Sequence, residues 1–158
     1  IYMTLTAGEL IFIDTNILLS ATDISRPSFS VAKALLKLII QAGYSPVITG
    51  QIIREYLVVA TRPINVNGFG MTAGDAVHNI KEFQKRLVVY NEKRSSAELL
   101  QHLVLEHQLI GKRIHDANIA AVMKTHGIRY IVTDNSADFS CFSYINVLTC
   151  SEAIETFK

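Results

Sequence analysis

The run Leu10-Ile11-Phe12-Ile13 stops abruptly at Asp14-Thr15-Asn16, and few architectures accommodate such a junction. Four apolar residues without alternation predict a strand covered on both faces, which in a chain of this size means a parallel sheet held between helices. Ligands of such sheets bind beyond the carboxyl ends of the strands. Asp14 therefore stands where chemistry is expected, with Thr15 and Asn16 placed to orient it or to open the next helix. A plainer role is open as well, in which Asp14 is simply the N-cap of that helix.

The rest of the chain alternates as a parallel sheet requires. No element is predicted for Ile1 to Gly8. A short helix and a loop follow Asn16, and Ser28 then caps a helix to about Ala42 that carries Val31, Leu35, Leu38 and Ile39 on its apolar face and stops at Gly43. Pro46 to Ile48 reads as a second strand, and Thr49 as the cap of a helix over Gln51 to Ala60. In that helix Ile52, Ile53, Tyr56 and Val59 face inward with Glu55 beside them. Thr61 to Gly70 is the clearest loop. Thr72 with Asp75 opens a helix to about Arg86, Leu87 to Val89 gives a strand, and Ser95 with Glu98 forms a capping-box pattern for a helix ending near His107.

A further helix contains His115-Asp116-Ala117-Asn118-Ile119-Ala120-Ala121 and ends at Gly127. The strand Tyr130 to Thr133 leads into Asp134-Asn135-Ser136-Ala137-Asp138-Phe139, a second junction of strand and acid. Ile145 to Leu148 supplies a last strand before a terminal helix. The pattern predicts one α/β domain over residues 1–158, a three-layer α/β/α sandwich with a central parallel sheet.

Bulk properties exclude several classes. With 49% hydrophobic residues and a mean hydropathy of +0.27 the chain can fill a sizeable core. Its longest apolar runs nevertheless fall short of the ~18 residues of a membrane span. Cys141 and Cys150, the two cysteines, have neither zinc-site spacing nor the density of a disulfide scaffold, which fits a reducing cytoplasm. A net charge of +1 leaves any nucleic acid to be held by a local patch.

Four acids fall where burial is expected: Asp14 and Asp134 after strands, Glu55 and Asp116 on apolar helices. If they converge, either their pKa values rise or a divalent cation neutralises them. Oxygen ligands without His or Cys favour Mg²⁺ or Mn²⁺ over zinc. A cation so held can bind a phosphodiester oxygen and activate water for in-line attack. No phosphate-binding Gly-rich loop, dinucleotide fingerprint or nucleophile elbow competes with this reading. Lys112-Arg113 are the leading candidates for phosphate contacts, with Arg54 and Arg62 next. Side chains alternate after the strand, so if Thr133 faces the site, Asn135 does too and Asp134 faces away, while Asp138 swings back past a turn.

Asp14-Thr15-Asn16, Glu55, Asp116-Ala117-Asn118-Ile119-Ala120-Ala121 and Thr133 to Phe139, with Arg62-Pro63 and Asn67-Gly68 between them, together resemble the PIN-domain ribonucleases. Within that family the likeness is to the VapC-like toxins of toxin–antitoxin modules, and it spans nearly the whole chain. The resemblance implies an endoribonuclease dependent on Mg²⁺ or Mn²⁺, with Asp14, Glu55 and Asp116 as metal-binding acids. A fourth position falls among Asp134, Asn135 and Asp138, and Thr15, Asn16 and Thr133 support the site. It further implies an RNA substrate, a homodimer, and a cognate antitoxin covering the acidic cleft. Read singly, each acid has an ordinary alternative: Asp116 complementing a helix dipole, Glu55 pairing with Arg54, Asp138 capping a turn. His115 reads as a helix-surface residue. The competing functions are a catalytically silent PIN-like module that binds RNA or protein, and a phosphoacceptor of the receiver type.

Overall fold

The computed structural model describes residues 5–158, so the first four residues of the Ile1 to Gly8 segment lie outside it. Five strands form one parallel sheet: β1 (Leu10–Ile13), β2 (Ser45–Thr49), β3 (Val88–Tyr90), β4 (Tyr130–Val132) and β5 (Asn146–Leu148), in the order β3-β2-β1-β4-β5. Its centre is dry, with Ile11, Phe12, Ile13, Val47, Ile48, Ile131 and Val132 all fully buried. That is why β1 shows no alternation: both of its faces are covered.

The helices are α1 (Thr15–Ser20), α2 (Phe29–Gln41), α3 (Gly50–Thr61), α4 (Ala73–Gln84), α5 (Arg94–Glu106), α6 (Arg113–Thr125) and α7 (Cys150–Phe157). Contacts link α1, α2, α3, α4 and α7 into one group, while α5 packs on α6. The sheet lies between these two layers, the sandwich that the sequence predicts. Among the described residues no helix is long and apolar enough to cross a membrane.

Strand order fixes where a site can form. The chain leaves β1 towards β2 and β3 on one side, then returns to β4 and β5 on the other, so the direction of winding reverses between β1 and β4. Helical connections diverge at such a point and leave a crevice beyond the carboxyl ends of the two strands. Ile13 is in register with Val132, which places Asp14 and Thr133, the next residues of each, side by side at the crevice mouth.

Three local expectations are corrected. The buried stripe of α2 is Ala32, Leu35, Leu36 and Ile39, and Val31 is exposed; the helix is turned so that its smaller Ala32 meets the core. Ser28 and Thr49 occupy N-cap positions but make no side-chain cap bond. The start of α5 is set by Ser96, not by Ser95 with Glu98: its hydroxyl accepts from the Lys93 N–H at 3.1 Å and shares a 2.7 Å bond with the Thr125 hydroxyl of α6. Burial against α6 selected the serine, which local pattern could not show.

The Thr61 to Gly70 loop folds back on α3, with the Gly70 N–H donating to the Arg62 carbonyl and the Phe69 N–H to that of Val59. A Cβ at Gly68 would stand 1.9 Å from the Arg62 carbonyl oxygen, so only glycine fits there. The tight return anchors Arg62 at the C-terminus of α3.

Candidate active site

Asp14 is 8% exposed and caps α1 with its own side chain. One oxygen, Oδ1, accepts from the Thr15 N–H at 2.7 Å; the other accepts from Asn16 Nδ2 at 2.9 Å and from the Thr133 hydroxyl at 2.6 Å. The capping role and the site position are therefore held by one residue. Burial pushes the Asp14 carboxyl above its ordinary range; the bonds from Thr133 and Thr15 oppose this, while the charges of Glu55 and Asp138 add to it.

Glu55 faces the crevice from the middle of α3. The Thr15 hydroxyl donates to its Oε2 at 2.7 Å and Gln51 Nε2 to its Oε1 at 2.7 Å. These bonds, not a pair with Arg54, hold the carboxylate.

Asp116 enters from the first turn of α6. Burial, then the charges of Asp138 and Asp14, raise its carboxyl from an ordinary 3.8 to about 6, against the pull of Arg113. Asp138, on the short 3-10 turn Ser136–Phe139, thus acts on both Asp14 and Asp116 through its charge.

Asp134 points elsewhere. Its Oδ1 accepts from the Cys150 N–H at 3.1 Å, at the start of α7, and its charge helps to raise the Cys150 thiol. Asn135 gives its backbone N–H to the Thr133 hydroxyl at 3.0 Å and leaves its side chain exposed. Thr133, fully buried, is the hub where Asp14, Asn16 and Asn135 meet.

Among the basic residues, Arg113 departs most from expectation. Its half-buried guanidinium donates to the Asp138 carbonyl at 3.0 Å and lies 3.6 Å from Asp116 Oδ2, so it packs against the acids. Lys112 stays exposed at the N-terminus of α6. Arg54 and Arg62 line an open cleft of about 520 Å³ with Thr15, Gln51, Glu55 and His115.

The sequence reading missed Gln51. Only 4% exposed, it connects Glu55 to α6 through the His115 carbonyl at 3.1 Å and Asn118 at 2.7 Å. The one available signal was its position four residues before Glu55, on the same face of α3.

The donor set is carboxylate oxygen alone, the chemistry of a hard divalent cation. Among the described residues no three Asp, Glu, His or Cys side chains are gathered closely enough to enclose an ion as they stand; Asp14 and Glu55 are each tied to hydrogen-bond partners of their own, and Asp116 lies beside Arg113. What links them is charge: Glu55 and Asp138 raise the Asp14 and Asp116 carboxyls, and Asp14 raises that of Asp116.

The same architecture occurs in several solved structures. A chain of VapBC2 from Rickettsia felis, bound to a DNA fragment from their promoter, matches with a TM-score of 0.67 at 15% identity, over 89% of this chain and 98% of that one. VapBC-1 from nontypeable Haemophilus influenzae gives 0.65 at 13% identity over 90% and 98%. The sarcin-ricin loop cleaving toxin VapC20 of Mycobacterium tuberculosis gives 0.58 at 16% over 77% and 86%. At these identities the likeness is one of fold. A sequence search of curated proteins returns no match. The family model of the PIN domain matches residues 10–137, from the strand that delivers Asp14, through Glu55 and Asp116, to the loop beyond Thr133. With most of its length matched, and with the fold around the crevice to go with it, the chain belongs to the PIN domain family.

Proposed function

We propose that this PIN domain is a metal-dependent endoribonuclease and the toxin of a toxin–antitoxin pair. The observation that carries the reading is the gathering of Asp14, Glu55, Asp116 and Asp138 around the crevice between β1 and β4, where burial and neighbouring acid charges disfavour the ionised forms of Asp14 and Asp116. A divalent cation removes that penalty, and Mg²⁺ or Mn²⁺ suits the oxygen-only set. Asp14, Glu55, Asp116 and Asp138 would hold it, with Asn135 at the margin. When bound, the ion supplies charge neutralisation at a phosphodiester and lowers the pKa of water.

The chain's own residues do the rest. Thr133, Asn16 and the Thr15 N–H fix Asp14; the Thr15 hydroxyl and Gln51 fix Glu55. Arg113 keeps Asp116 and the Asp138 turn together. Arg54 and Arg62 in the cleft, with Lys112 exposed at the N-terminus of α6, offset the repulsion between the acids and an RNA backbone. Alanine at both Arg54 and Arg62 is expected to raise the KM for RNA about tenfold and to flatten its salt dependence, with kcat changed less than about threefold. An unchanged KM removes them from the RNA path.

The deciding experiment incubates the purified protein with a mixed RNA pool and Mn²⁺, then with a chelator. Cleavage lost on chelation and restored by Mn²⁺ supports the nuclease; metal-independent binding without cleavage supports the silent binding module instead.

The antitoxin is inferred from the similar folds, among them VapBC2 from Rickettsia felis and VapBC-1 from nontypeable Haemophilus influenzae. Its segment would cover the acidic crevice and present an Arg to the carboxylates. A homodimer is the expected state, and light scattering checks it: a fully active monomer of 17.6 kDa at micromolar concentration contradicts it.

A further inference from the structure

A line of side-chain amides crosses from α6 to α3 at the crevice. Asn118 Nδ2 donates to Glu92 Oε1 at 2.9 Å and to Gln51 Oε1 at 2.7 Å. Gln51 Nε2 in turn donates to Glu55 Oε1 at 2.7 Å and to the His115 carbonyl at 3.1 Å. Its direction is fixed from both ends. A carboxylate only accepts, so Glu92 obliges Asn118 to offer its nitrogen, Gln51 then turns its oxygen to Asn118, and its nitrogen must face Glu55. With the Thr15 hydroxyl on Oε2 at 2.7 Å, both Glu55 oxygens are held and the carboxylate plane is set. A core glutamine needs partners wherever it is buried; this one finds them on a proposed catalytic acid and on the helix that carries another.

We propose that Gln51, oriented by Asn118, is the positioning residue that fixes Glu55 for metal binding and RNA cleavage. The inference rests on the role of Glu55 in the nuclease reading. Partners of this kind govern how well a carboxylate meets an ion, so the effect falls on metal affinity and turnover while RNA binding is spared.

The test compares Gln51→Met, which keeps length and volume without hydrogen bonds, with Asn118→Leu and the double variant. Mn²⁺ affinity is read by calorimetry, beside kcat and KM on RNA. Gln51→Met is expected to weaken Mn²⁺ binding and lower kcat by about tenfold or more each, with KM within about twofold. Asn118→Leu should give about threefold in the same direction, and the double variant should be no worse than Gln51→Met, because Asn118 acts through Gln51. Unchanged Mn²⁺ affinity and kcat in Gln51→Met, or a double variant showing the product of both losses, overturns the proposal. If Gln51→Met does not fold, Asn118→Leu carries the test, and a wild-type affinity there overturns it. Glu55→Gln separates the two levels: impaired Glu55→Gln beside normal Gln51→Met defeats the positioning role alone, whereas an unaffected Glu55→Gln defeats the assignment of Glu55 and this inference with it.

Discussion

Asp116→Asn is expected to reduce RNA cleavage by on the order of a thousandfold or more while leaving the fold intact. The side chain lies in the first turn of α6, ahead of the buried run Ala117 to Met123, and replacing a carboxylate with an amide of the same shape disturbs no packing. What it removes is a charge that burial, Asp138 and Asp14 all oppose. Without metal the variant should therefore be more stable than the parent. Screened by solvent on the open side of the crevice, the relief is on the order of 1 kcal/mol, a few degrees in melting temperature.

The same group sets a pH dependence. Between the ordinary 3.8 and the folded value of about 6, the folded chain binds more protons at Asp116 than the unfolded chain does. The Asp116 contribution to metal-free stability accordingly falls as pH rises through that window and stays low above it, and Asp116→Asn should lose this component. Wild-type turnover in Asp116→Asn removes the residue from the site; a stability difference between parent and variant that does not shift against the parent as pH rises through the window contradicts the charge argument.

Asp138→Asn and Asp134→Asn should part company. Asp138 bears electrostatically on Asp14 and Asp116, so its neutralisation is expected to cost about tenfold in Mn²⁺ affinity and about a hundredfold in cleavage. Asp134 faces the start of α7 through the Cys150 N–H. Its variant should keep activity within about threefold and lose about 0.5 to 1 kcal/mol of stability, the worth of an anion at a helix N-terminus. Calorimetry with Mn²⁺ and cleavage assays run in parallel decide the matter: an inactive Asp134→Asn beside an unaffected Asp138→Asn reverses the assignment.

How far the sequence could be read depended on the range of the interactions. The core of β1 was legible because an unbroken apolar run has one economical home, and the junction at Asp14 followed. Alternation along the extended backbone foresaw the Thr133 side chain on Asp14 and that of Asp134 turned away, but not the exposed side chain of Asn135. Gln51 was not legible, because its partner Asn118 lies 67 residues away and only the apposition of α3 and α6 brings them together. For a related reason nothing in Lys112-Arg113 announces that a guanidinium will turn inward to the Asp138 carbonyl. The phase of α2 and the serine that opens α5 likewise belong to tertiary packing, which overrides local pattern.

The most direct test of the account examines the ends of the RNA fragments made with Mn²⁺. Activation of water at the carboxylate crevice breaks the phosphodiester by in-line attack from outside the chain, so the ribose 2′-hydroxyl takes no part as nucleophile. The account predicts cleavage that stops on chelation and leaves linear phosphate monoesters at every cut. Fragments ending in 2′,3′-cyclic phosphate, produced equally well with the chelator present, would contradict it.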